Sequence, residues 1–252
     1  MFLTRSEQTL AECNFDYKFD TATFDSGSGA NIRLSSVLKY QENAGEVHLS
    51  TDYGYDYDHI MKFGNVFVLT NTIMKINRMP MPSESLTIHT WNKNIKGFKF
   101  FRAYDWIDES GEKVIESVSA FVLVSASEHK IVRADALGFE LPCESETLAG
   151  VPDPVKIKLP KEMERVGSKK ILFSMLDRNE HLNNALYADF LVDFVEPEQA
   201  KGVCKAEIDY VKEASLGDVV EVYRAQEGNT VYLKGVRQSD DTVIFRGSLS
   251  FR

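Results

Sequence analysis

The chain has 252 residues, 43% of them hydrophobic, and a formal net charge of −9. That length allows one large domain or two small ones, each with a buried core, and the plentiful aromatics exclude a disordered chain. The acidic balance excludes a nucleic-acid binder with a large basic face, though not a local basic patch.

The N-terminal stretch "MFLTRSEQTL" has no long apolar core and no small-residue cleavage pattern. No segment approaches the ~18 apolar residues of a membrane span. The expectation is a cytoplasmic protein without membrane contact. The first predicted helix is "LSSVLKYQENAGEVHLSTDYG" (Leu34–Gly54), where Val37, Leu38, Tyr40, Ala44, Val47 and His48 follow helical spacing and Gly54 is a stop. Four predicted strands follow, Asn65–Arg78, Leu86–Trp91, Phe98–Asp108 and Val114–Ser125, joined by short polar turns as in an antiparallel meander. From Asp135 to Lys170 the pattern weakens, and "LPCESETLAGVPDPVKIKLPKEME" reads as a linker. Then the order repeats. A helix after Asn183 precedes "CKAEIDYVKE", "DVVEVYRAQ", "TVYLKGVRQ" and "TVIFRGSLSF". Laying the copies over each other sets Met79 against Glu213. The pattern alone supports an α+β protein.

The stretch "SMLDRNEHLNNALYADFLVDF" (Ser174–Phe194) raises the chemical question. Leu186, Phe190, Leu191, Phe194 and Val195 form an apolar stripe, so a helix starts near Asn183 or Asn184, and asparagine is a favoured N-cap. Ahead of it, Asp177, Asn179 and His181 stand at alternate positions. An extended segment would put them on one side, beside the positive end of the helix. That offers acyl transfer a group to activate water and donors to hold an oxyanion. The plainer alternative is turn and capping chemistry, which loops rich in Asp and Asn often serve. A calcium loop fails in detail, because Leu182 stands where it needs glycine and Ala188 where it needs a bidentate glutamate. No metal site and no cofactor are expected.

The same residues carry a resemblance. "DRNEHLNNALYADFL" resembles the D-x-N-x-H-x-N-N signature of acyl-acyl-carrier-protein thioesterases, the plant fatty-acyl type and its bacterial relatives. The match covers Asp177, Asn179, His181, Asn183 and Asn184, with Tyr187 at the usual aromatic place. The family's catalytic glutamate follows a tyrosine about one strand later, and "DYVKEAS" supplies Tyr210, Lys212 and Glu213. "LSSVLKYQENAGEVH" resembles the family's first helix, and the aromatic pair from Phe98 onward its strands, so the likeness covers nearly the whole chain.

The resemblance implies a double hotdog: two helix-plus-antiparallel-sheet repeats in one chain. Residues 1–140 would form a non-catalytic hotdog that shapes the acyl pocket, 141–168 a linker, and 169–252 the catalytic hotdog. It implies hydrolysis of fatty acyl thioesters on acyl carrier protein, in fatty acid biosynthesis. Asp177, Asn179, His181 and Glu213 would be catalytic, with Asn183, Asn184 and the helix start at the oxyanion. Glu213 or Asp177 would activate water or attack directly. Because the carrier is acidic, its docking surface should be basic. The candidates are Lys93, Lys96, Lys99 and Arg102 in "NKNIKGFKFFR", then the linker cluster of Lys156, Lys158, Lys161, Arg165, Lys169 and Lys170. A homodimer is left open.

Ala214 replaces the cysteine that follows the glutamate in plant members, so no thiol nucleophile can act there. The other cysteines, Cys13, Cys143 and Cys204, are far apart without metal or disulfide spacing, and Cys204 reads as a small buried hydrophobe. His48 reads as a core or pocket residue, His59 as part of a loop over the pocket mouth, and His89 and His129 as surface residues. Three other functions compete: an acyl-CoA thioesterase of the same fold, a hotdog dehydratase or hydratase, and a non-enzymatic acyl-thioester sensor.

Overall fold

The computed structural model describes residues 13–55, 57–137, 140–144 and 147–252. The ten residues inspected for a leader lie outside them. The N-terminal half runs β1 (Asn14–Asp20), α1 (Leu34–Asp52), α2 (Tyr57–Lys62), β2 (Asn65–Ile76), β3 (Ser85–Lys96), β4 (Lys99–Asp108), β5 (Lys113–Ser125) and a short β6 (Ile131–Val132). The C-terminal half runs β7 (Glu164–Lys170), α3 (Tyr187–Asp193), α4 (Pro197–Lys201), β8 (Val203–Tyr210), β9 (Val219–Glu227), β10 (Thr230–Arg237) and β11 (Val243–Phe251).

All strands join one antiparallel sheet in the order β1-β3-β4-β5-β2-β8-β11-β10-β9-β7, with β6 on β5. The order is a mirror about the β2–β8 seam, so each half is a hotdog and the whole is a double hotdog. At the seam Ile73 faces Glu207, Thr72 faces Ile208 and Met74 faces Ala206. The equivalence extends beyond the strands. The amides of Ile32 and Leu182 donate to Pro80 O (3.0 Å) and Ala214 O (2.8 Å), one residue past Met79 and Glu213.

The helices form for the reasons their sequences give. On α1, Val37, Leu38, Ala44 and His48 are buried toward the sheet, and the helix ends before Gly54, whose φ of +69° favours glycine. α3 is shorter. It buries Tyr187, Phe190 and Leu191, and Phe190 meets Phe245 edge-on at 5.5 Å. α3 can lie this close to the sheet because position 247 is glycine; a Cβ there would come 2.2 Å from Leu191 Cδ2. α1 and α3 pack against each other, and one apolar core with Leu38, Trp106, Phe190 and Phe245 runs through both halves.

Three expectations need correction. Each repeat has a strand before its helix, β1 and β7, which makes five major strands rather than four. β7 begins at Glu164, inside the stretch read as linker, and pairs with β9. It escaped notice because it is a charged edge strand with one half-buried face. The remaining connector is a strap on the sheet's outer face. Val151 packs on Ile73, Trp91 and Phe101, and the Ile157 amide donates to Asp209 Oδ2 at 2.8 Å. Among the described residues no helix is long and apolar enough to cross a membrane.

Candidate active site

The segment before α3 is not an extended strand, which is the third correction. Asp177 Oδ1 accepts the amides of Asn179 (2.8 Å) and His181 (3.3 Å), and the Asp177 amide donates to His181 O at 2.8 Å. The loop is a tight turn, closed by Glu180 at φ +63°. Alternation therefore does not place Asp177, Asn179 and His181 on one side; the turn does the positioning. The N-terminal half holds the same turn with different residues: Gly27, Gly29 and Asn31 stand in the places of Asp177, Asn179 and His181, and Ala30 takes the positive φ of 67°.

After the turn the chain enters a helical segment, a 3-10 turn at Asn184–Leu186 running into α3. Asn183 caps it as expected, its side-chain oxygen accepting the Ala185 amide at 2.9 Å. The loop after β8 brings in Glu213, whose Oε2 lies 3.5 Å from His181 Nε2. Both side chains remain open to solvent. Arg237 fixes this loop from below. Its Nη2 donates to Glu213 O at 2.6 Å and its Nε to Asp218 Oδ2 at 3.0 Å, and that carboxylate accepts the Ser215 amide at 2.9 Å. Sequence reading missed Arg237, which lies far along the chain in an unremarkable strand.

A cavity of about 560 Å³ opens beside the turn. Asp177, Asn179 and Asn184 line it; His181 and Glu213 do not. Most of its wall belongs to the N-terminal half: α1 on one side, β2, β4 and β5 on the other. Leu49, Ile60, Phe67, Phe100 and Phe121 supply apolar lining. Phe67 meets Phe100 edge-on at 5.2 Å. Glu42 on α1 faces this space and has no hydrogen bond or ion pair among the described residues. Glu42 keeps solvent exposure at the cavity, and the partial desolvation there, helped by the charges of Glu46 and Asp177, pushes its carboxyl up to about 7. The repeat pattern had no way to single out Glu42, since a glutamate on a helix ordinarily reads as solvated surface.

The basic stretch expected to dock a carrier is largely spent inside the fold. Arg102 is buried and donates to His48 Nδ1 at 2.6 Å. Lys93 and Lys96 both pair with Asp153 of the strap, at 2.6 and 2.5 Å, and Lys99 donates to Asn71 Oδ1 at 2.8 Å. Of the four, Lys96 alone keeps most of its side chain in solvent, at 63%. His48 lines the core as expected, and Cys204 is half-buried, donating to Ser250 O at 3.3 Å.

Models of the acyl-ACP thioesterase N-terminal and C-terminal domains match residues 12–136 and 160–248. The chain belongs to the acyl-ACP thioesterase family. Within that family it is similar to a chloroplastic acyl-acyl-carrier-protein hydrolase of Cuphea viscosissima, 22% identical over 224 residues, covering 82% of this chain and 54% of that protein. A chloroplastic palmitoyl-acyl carrier protein thioesterase of Cuphea hookeriana is 21% identical over 229 residues, covering 84% and 55%. The chain thus spans about half the length of the curated relatives it matches. Among solved structures, an acyl-ACP thioesterase from Bacteroides thetaiotaomicron superposes with a TM-score of 0.85 at 19% identity, over 95% of this chain and 98% of the other. The 12:0-ACP thioesterase of Umbellularia californica gives 0.78 at 15%, over 96% and 98%. These two likenesses establish the acyl-ACP thioesterase fold for the whole double hotdog.

Proposed function

We propose that this protein hydrolyses fatty acyl thioesters held on acyl carrier protein and releases the free acid. The observation that carries the reading is one turn that does two things. It presents His181 to Glu213 and puts Asp177 and Asn179 on the wall of a cavity with much apolar lining. In this reading Glu213 takes the proton of the attacking water, and His181 orients that carboxylate and returns the proton to the departing thiolate. A thiolate leaves readily, so a stronger acid is not required. Asn179 and Asn184, on the cavity wall, donate to the carbonyl oxygen as it becomes an anion. The Asp177 carboxylate is engaged by two backbone amides, so it shapes the turn rather than attacking. The N-terminal half contributes the acyl cavity, and Met79 in the place of Glu213 leaves that half without a base. The carrier docks near exposed Lys212, beside Glu213, and Lys39 on α1.

The test is a hydrolysis panel of acyl carrier protein and CoA thioesters of varied chain length. Carrier thioesters are hydrolysed faster than CoA thioesters. Glu213→Gln and His181→Ala each lower kcat by at least about a hundredfold, the scale of a lost acid–base group, while Cys204→Ser leaves it unchanged. A dead Cys204→Ser beside an active Glu213→Gln would refute the carboxylate mechanism.

A further inference from the structure

The cavity beside α1 is not finished for plain hydrocarbon. Gln41 is 2% exposed; its Nε2 donates to Ser117 Oγ at 2.8 Å, and its Oε1 has no hydrogen-bond partner among the described residues. Arg102, 6% exposed, lines the same cavity. Its Nε, Nη1 and Nη2 bond to Thr90 Oγ1, Asn92 Oδ1 and His48 Nδ1 at 2.9, 3.1 and 2.6 Å. A guanidinium carries more N–H groups than these bonds use. Among the described residues no carboxylate pairs with it directly; Asp52 approaches only His48, at 3.5 Å from Nε2. Asn94 Oδ1, also lining the cavity, is a further buried acceptor without a donor among the described residues.

These groups are neighbours. Gln41 and Gly45 share a face of α1 one turn apart, and Arg102 Nε lies 3.4 Å from where a Cβ on Gly45 would stand. Tyr104, the next inward residue of β4, pairs in register with Ser117, the partner of Gln41. Glu42 follows Gln41 in the chain and feels the charge of Asp177, so Gln41 lies toward the catalytic-turn side of the cavity, while Arg102 stands two residues from Phe100 on β4. A saturated chain laid across these groups would strip water from a cation and two acceptors and return no bond, at about 1–3 kcal/mol for each buried group. A hydroxyl can accept from Arg102 and donate to Gln41 Oε1. A ketone can only accept.

Resting on the hydrolytic reading above, we infer that the preferred substrates are hydroxyacyl thioesters. The hydroxyl stands near the thioester, as in a 3-hydroxyacyl chain, and Gln41 and Arg102 recognise it.

The experiment compares 3-hydroxyacyl, 3-oxoacyl and unsubstituted acyl carrier protein thioesters of one chain length on the full-length protein. The 3-hydroxy substrate shows kcat/KM at least about tenfold above the unsubstituted one, the scale of a buried polar group left unmatched. It also exceeds the 3-oxo substrate. Gln41→Leu and Arg102→Met each bring the hydroxy-to-unsubstituted ratio toward one. Because the ratio is read within each variant, loss of total activity does not obscure it, and if Arg102→Met fails to fold, the wild-type ratio and Gln41→Leu decide. An unsubstituted chain hydrolysed as fast as the 3-hydroxy chain would overturn the inference and leave the thioesterase reading standing. A protein that cleaves none of the three would overturn both.

Discussion

Glu42 is a helix-surface glutamate whose setting departs from what its type suggests. Glu46 and Asp177 oppose its charge, Lys39 favours it, and Tyr104 and Tyr210 stand close enough to feel it. Its carboxyl is raised from an ordinary 4.5 to about 7. Across that interval the folded protein holds the proton more tightly than the unfolded chain. Its contribution to stability is therefore complete below pH 4.5 and lost as the pH rises through about 7. Glu42→Gln keeps the neutral form's shape and removes the titration. Its melting temperature relative to wild type should rise between about pH 5 and about pH 8. A difference that stays constant across that range would show that Glu42 titrates normally.

At the scale of elements, the turn and the helix that follows it explain which parts of the site were legible. Asp177, Asn179, His181 and Glu213 were readable because their spacing is local or lies one strand away. The apolar stripe from Leu186 onward located the helix start, and Asn183 caps it. The shape between them was not readable. Polar alternation looks the same in a strand and in a turn held by a side-chain oxygen, and only the backbone bonds to Asp177 distinguish the two. β7 was missed because its charged sequence lacks an apolar period, whereas β1 carries one in Phe15, Tyr17 and Phe19 and was passed over by a reading that began at the first helix. The packing of α3 makes its own prediction. Gly247→Ala drives a methyl into Leu191 and must lift α3 from β11, with a cost on the order of 1–3 kcal/mol typical of overpacking. Denaturant unfolding measures it, and the Asp177–His181 turn ahead of α3 should loosen with it. Unchanged stability would mean that the sheet yields instead.

At the scale of the molecule, the β2–β8 seam makes two repeats one body. Asn71 Nδ2 donates to Asp209 Oδ1 across it at 2.7 Å, and the strap closes over the same carboxylate through Ile157. A fragment of residues 160–252 keeps all its strands but bares β8 as an edge and exposes the face of α3 that α1 covers. Expressed alone it should aggregate or lack cooperative unfolding, as judged by gel filtration and circular dichroism. A soluble monomeric fragment with a sharp transition would contradict that dependence. The double repeat was visible in the sequence as a recurring order of helix and strands. The strap's neutralisation of Lys93 and Lys96 was not, because it depends on where Asp153 arrives after a stretch without periodicity.

The mirrored turns have a consequence for how such a chain can change over time. Under the proposed reaction one copy keeps the acid–base residues and the other keeps the cavity that serves them, so selection bears on opposite parts of the two repeats. The turn at Gly27–Asn31 is held by its backbone, with Gly29 at φ +94°, rather than by any reacting group, and the wall around α1 is held by its side chains. The reverse holds in the second copy, where the turn is constrained and Tyr187, Phe190 and Phe245 need only fill their space. A duplicated protein in this state has passed the point of easy return. Restoring the silent turn would require several simultaneous substitutions, and losing either copy would remove half of a single site.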